Sequence, residues 1–198
     1  MQILRELSVG GIVSRLAAVL IYAALQGALL AGLSRLLGDR RPQQDGRLSL
    51  NPFTQVSAWG AATAALFGVS WIRSLWYDPE HNRLGRWGVV LVSALGLGLM
   101  VALVPGVDAL RRAALLLPST GARAVLLVLE QFQAVTLASV LLGLLPVPGL
   151  IAGSVWQAFW PDRERQLRQA EPICLCVIIA AIVAFGFPDA ATILGWDR

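Results

Sequence analysis

The sequence has no lysine and a single histidine, His81; all sixteen basic residues are arginine. One histidine excludes a His-x-x-x-His pair on any helix and confines histidine-based nucleophile chemistry to the loop that carries it. Cysteine is scarce as well, with Cys174 and Cys176 two positions apart in an apolar run. On a helix these two point in different directions. A structural zinc site takes four Cys or His ligands, and a disulfide framework needs more than one lone pair, so both read as small apolar fillers. Charge is thin: 14% of residues are charged, against about a quarter in soluble domains. With 57% hydrophobic residues and a mean hydropathy of +0.67, this excludes a disordered chain and argues against an ordinary soluble globule. The net charge of +4 and pI near 10 would suggest nucleic acid in a soluble protein. Here the arginines fall in short loops between apolar runs, with no basic face interleaved with aromatics, so nucleic acid is not expected as a partner and the lipid bilayer is.

What fills the sequence is long uncharged runs. At about 20 residues per crossing, the chain reads as an all-α integral membrane protein in one domain, residues 1–198. It has five transmembrane helices, or six if a broken segment also crosses. The expected spans lie near 16–34, 53–72, 87–107, 122–146 and 172–188. The run from Leu16 to Ser34 is too long for the apolar core of a cleavable signal and long enough to cross. Residues 147–160, interrupted by Pro148, Gly149 and Gly153, read as re-entrant or interfacial. Helix is the default in every span, because hydrocarbon offers the backbone no other partner. The runs do not alternate in polarity as barrel strands do. Trp71, Trp76, Trp87, Trp156 and Trp160 sit at run ends, where an amphipathic ring favours the headgroup level. Five spans would divide the arginines eight to eight between the two faces, and orientation then has no charge signal.

Candidate chemistry is sparse. His81 stands beside Asp78 and Glu80 in a polar loop and reads as a solvated loop histidine. Glu130, next to Gln131 and Gln133 in an apolar stretch, is a candidate because an ionisable group at membrane depth is costly; interfacial placement or a bond to a neighbouring helix are the plainer readings. Ala24 and Ala28, Gly27 and Ala31, and Gly96 and Gly98 supply small residues for close helix packing or partner contact.

One set of motifs is too specific for composition. Gly38-Asp39 closes the first run and is followed by Gly46-Arg47-Leu48-Ser49-Leu50-Asn51-Pro52. Further on come Ser70-Trp71-Ile72-Arg73 with Asp78-Pro79, and then Leu144-Leu145-Pro146-Val147-Pro148-Gly149-Leu150. In order and spacing these resemble the bacterial site-2 protease family of intramembrane zinc metalloproteases, over roughly residues 16–185. The resemblance implies that family's membrane core, short extended segments between Arg41 and Pro52, a place in the bacterial inner (cytoplasmic) membrane, and a cytoplasmic Arg40–Arg47 loop. It also implies what is missing. The family's His-Glu-x-x-His helix supplies two zinc ligands and a general base; the matching positions here read Gln26, Gly27, Ala28, Leu29 and Leu30. The third ligand falls at Ile151, and the assisting asparagine of the third span at Met100. The expectation is therefore a pseudoprotease: no metal, no cofactor, no enzymatic activity, and a role as a structural or assembly subunit among other transmembrane subunits. The alternatives are a regulatory binder that holds transmembrane substrate helices without cleaving them, and a transport or proton-handling role centred on Glu130.

Overall fold

The computed structural model describes residues 9–116 and 118–187. Within them the chain is helical: α1 (Val9–Leu36), α2 (Arg41–Gln44), α3 (Pro52–Gln55), α4 (Ala58–Phe67), α5 (Arg86–Ala114), α6 (Ser119–Gly143), α7 (Ser154–Phe159) and α8 (Glu164–Phe185), with a 3-10 turn at Pro161–Arg163 before the last. Among the described residues no strand forms, and the extended pairing is one antiparallel bridge, Val56 to Ile72. The extended segments expected between Arg41 and Pro52 are instead a short helix and turns.

Four helices are long and apolar enough to cross a membrane, at Gly10–Leu36, Arg86–Ala114, Gly121–Gly143 and Pro161–Phe185. The expected five becomes four because 53–72 is not one helix. Ser57 caps α4 by accepting from the Gly60 amide, and Gly68 ends it in the left-handed region at φ 71°. Ten residues rise about 15 Å, half of a ~30 Å hydrocarbon core. The chain then returns in extended form, with Val69, Ser70, Trp71 and Ile72 all buried. Its backbone finds partners inside the protein: Ser70 N–H donates to Ser139 Oγ at 3.0 Å, and Arg73 N–H donates to Gln55 O at 2.8 Å. The segment enters and leaves at the same face, which is tolerable at membrane depth because protein surrounds it. Residues 147–160 are also short of a span, as turns followed by the six-residue α7.

Helices α1, α5 and α6 form the packed core. Gly96 lies against Leu30 and Gln26 of α1. At the far end, Gln133 Nε2 donates to Val104 O at 2.9 Å and to Asp108 at 3.2 Å, and Arg15 Nε donates to Gln131 Oε1 at 3.2 Å. These last contacts explain why α1 and α5 extend past their expected limits: the charges that bounded the apolar runs are satisfied within the bundle, Asp108 also by Arg111 at 3.8 Å. The last span starts at Glu164 rather than at 172, carrying Pro172 inside the helix, and ends at Phe185; position 188 lies outside the described residues.

The four-span path changes the charge count. The face that holds the α1 C-terminus, residues 37–57 and 73–86, and the start of α8 is tied together by contacts such as Arg83 N–H to Leu37 O at 2.7 Å and Arg41 to Glu164 at 3.2 Å. It carries Arg35, Arg40, Arg41, Arg47, Arg73, Arg83, Arg86, Arg163, Arg165 and Arg168, ten in all. The opposite half holds Arg15, Arg111, Arg112 and Arg123, four; Arg5 and Arg198 are outside the described residues. The even division expected from five spans is thus replaced by ten to four.

Candidate functional site

Positions 26 and 30 are one helical turn apart on α1 and share a face. Both side chains are fully buried. They meet α5 where it has no side chain: a Cβ on Gly96 would overlap Leu30 Cδ2 and sit 3.4 Å from Gln26 Nε2. Met100, one turn further along α5, is also fully buried. Ile151 comes from the turns after α6, where a Cβ on Gly143 would lie 3.6 Å from Ile151 Cδ1. Leu30 and Ile151 line the same cavity, with Ile72, Leu75 and Tyr77. Its volume is about 10 Å³, room for one water at most. The structure therefore gathers Leu30, Met100 and Ile151 into one apolar cluster, with Gln26 beside Leu30. What these side chains present is aliphatic carbon, one thioether and one carboxamide. Among the described residues, no three of His, Cys, Asp and Glu gather as a metal-ligand set.

Gly27 faces elsewhere, and its missing side chain is filled by Gln55. Gln55 is fully buried and clasps the Gly46–Pro52 stretch: Arg47 Nη1 donates to Gln55 Oε1 at 3.1 Å, and Gln55 Nε2 donates to Arg47 O at 2.5 Å and Ser49 O at 3.2 Å. Asn51 then starts α3, its Oδ1 accepting from Phe53 N–H at 3.1 Å, with Pro52 at the first helical position. Asp39 does similar work for the neighbouring loop. It is fully buried, with Oδ1 accepting from Arg41 N–H at 2.9 Å and Oδ2 from Asp78 N–H at 2.9 Å. Burial pushes the Asp39 carboxyl above its ordinary range, while the two amides pull the other way. Gly38 supplies the bend before it at φ 100°, packed on His81 O.

The remaining candidates are not at this centre. His81 Nδ1 bonds Asp78 Oδ2 at 2.8 Å in an exposed loop. Glu130 is exposed on the outside of α6 and Gly98 on the outside of α5; a Cβ on Gly98 would meet nothing within 4 Å. Both are thus exposed among the described residues, whereas Gly27, Ala31 and Gly96 are buried. Cys174 and Cys176 are free thiols, half-buried and exposed respectively. Sequence reasoning missed the Arg47–Gln55 clasp and the Ser93 Oγ to Ser154 Oγ contact at 3.2 Å, which ties α5 to α7. The available signal was a glutamine, Gln55, standing inside an otherwise uncharged apolar run beside an arginine turn.

Gln26 leaves both amide atoms buried without a hydrogen-bond partner among the described residues. A buried amide without partners costs about 1–3 kcal/mol. Gln26→Met, of similar shape, is therefore expected to raise the melting temperature in detergent by a few degrees, corresponding to roughly 1 kcal/mol. A fall instead would mean that the amide is engaged by something the apolar surroundings do not supply. Compared with known proteins, the chain matches no family model, no curated protein and no solved structure.

Proposed function

We propose that this chain is a non-catalytic, site-2-protease-like membrane protein that serves as an assembly subunit, docking other transmembrane subunits along α8. The observation that carries the reading is the state of that helix. α8 is long and apolar enough to cross a membrane, yet only 6% of its most apolar stretch is buried within the protein, against 44–50% for the other three such helices. Ile173, Val177 and Val183 are each at least 60% exposed, and Phe185 is 90% exposed. The outward Glu130 adds a group that a partner helix could satisfy, since an isolated carboxylate at membrane depth is costly. The residues at the five vacated positions, Gln26, Gly27, Leu30, Met100 and Ile151, support the non-catalytic part, because none offers a carboxylate, imidazole or thiolate to a metal. The ten-to-four arginine distribution supports placing the loop-rich face in the cytoplasm, as the resemblance implies, with the bacterial inner membrane as the location.

A photo-crosslinker at Val177 tests the docking role in cells. The expected product joins the chain to another multi-pass or single-span membrane protein, and the same probe at Val92, inside the core, gives none. Crosslinks to lipid alone would remove the subunit role. Metal analysis tests the other half: the purified protein is expected to hold no stoichiometric zinc, and one tightly bound zinc per chain contradicts the pseudoprotease reading.

A further inference from the structure

The arginine-rich face contains an open pocket of about 660 Å³. Four arginines line it: Arg41, Arg47, Arg73 and Arg168. Against them stand Asp45 and Glu171 within the pocket, and Glu164, which pairs with both Arg41 at 3.2 Å and Arg168 at 2.7 Å. One cation is left over. Its location is specific. Glu171 is already engaged by the Ser74 hydroxyl. Arg168 stacks over Trp76, 4.0 Å from the ring centre. Arg47 is 6% exposed and donates only to neutral acceptors, Gln55 Oε1 and, at 3.1 Å, Ser74 O. Arg73 is exposed and makes no side-chain hydrogen bond or ion pair among the described residues.

Two guanidiniums thus share a pocket with no carboxylate in ion-pair contact with either. A buried cation without a directly bonded counter-charge is expensive: burial first and then Arg73 hold Arg47 below the usual guanidinium range, and the exposed Asp45 offsets this only in part. A single anion between them relieves both costs. Guanidinium forks match the oxygens of a phosphate with charge-assisted hydrogen bonds.

The pocket also has a continuation. Glu171 is shared with an apolar groove of about 380 Å³ between the start of α4 and α8, lined by Trp59, Pro172, Leu175, Cys176 and Ile179. A polar chamber with one excess positive charge thus shares a wall, at Glu171, with an apolar groove beside a span-length helix. That pairing fits a molecule with an anionic head and a hydrocarbon tail. We propose that this site binds an anionic phospholipid, its phosphodiester held by Arg47 and Arg73 and an acyl chain laid in the groove beside α8. The proposal stands apart from the assembly role, since the groove touches α8 through Glu171, Pro172, Leu175, Cys176 and Ile179 and the crosslinking position Val177 does not line it.

The test uses the full chain in a neutral detergent, with lipid retention measured by native mass spectrometry and competition. Phosphatidylglycerol is expected to bind at least tenfold more tightly than phosphatidylcholine. Arg73→Gln, which breaks no side-chain hydrogen bond or ion pair among the described residues, is expected to abolish that preference. Arg35→Gln, on the same face but outside the pocket, is expected to keep it. Cys176→Trp, filling the groove from its exposed side, is expected to weaken phosphatidylglycerol without creating a preference for the zwitterionic lipid. Equal binding of the two lipids overturns the proposal, and so does equal loss in both arginine variants. Inorganic phosphate competing as well as the lipid also overturns it, in favour of a soluble phosphate compound.

Discussion

Gly153→Ala is expected to abolish the folded state or lower its melting temperature in detergent by roughly 10 °C, more than about 3 kcal/mol. A Cβ at this position would overlap Val147 O, lie 2.5 Å from Val147 C and 3.0 Å from Pro148 N. These are backbone atoms, and no side chain can swing away. Relief requires moving the 147–153 turns, which seat Ile151 against Leu30 and hold Ala152 N–H to Gly143 O at 2.9 Å. Overpacking that rigid backbone must absorb costs more than the usual 1–3 kcal/mol. Gly96→Ala is the useful comparison. There the overlap is with the tip of a leucine side chain, and the loss should be clearly smaller. Thermal melting that found the two variants alike would mean that the turns are not fixed as described.

Asp39→Ala is the second large loss expected, about 3 kcal/mol. The carboxylate accepts the partly buried Arg41 and Asp78 amides, and an amide left unpaired away from water costs about 1–3 kcal/mol. Asp39→Asn should recover little, because its Nδ2 would face an amide that also donates. The expected readout is a lower melting temperature together with faster proteolysis in the 37–45 and 77–85 loops, which Asp39 joins. Wild-type protection of those loops in the alanine variant would remove Asp39 from this role.

Both residues illustrate what the sequence made legible. Gly38-Asp39 and the proline-glycine run around 144–153 stand out in the chain, but their physical work does not. A carboxylate after a glycine gives no hint of which distant amide it holds. The helices at 9–36 and 86–114 are the clearest feature, since a long apolar run at membrane length has few other options; 119–143 is less clean, broken by Arg123 and Glu130. Their ends were read short because Arg15, Asp108 and Arg111 look like boundaries until Gln131 and Gln133 are placed opposite them. The stretch 53–72 was misread for a different reason. Apolar composition does not separate a crossing helix from a buried extended return. The cues were local, in Ser57, Gly68 and the β-branched Val69 and Ile72. At the centre, the spacing of Gln26 and Leu30 puts them on one face, and Gly96 lies against both. Gly98, two positions on, had to point the other way on the same helix.

The sparse burial of α8 bears on the order in which the chain leaves the ribosome and matures. Helices α1, α5 and α6 interlock through Gly96, Gln131 and Gln133 and can settle before the last segment is made. α8 enters afterwards and makes its polar contacts with the rest at its N-terminal end, through Glu164, Arg168 and Glu171. Its distal half is held by little more than Ile182, buried beside Ile178 and Ile179, so it is the part whose placement is settled last.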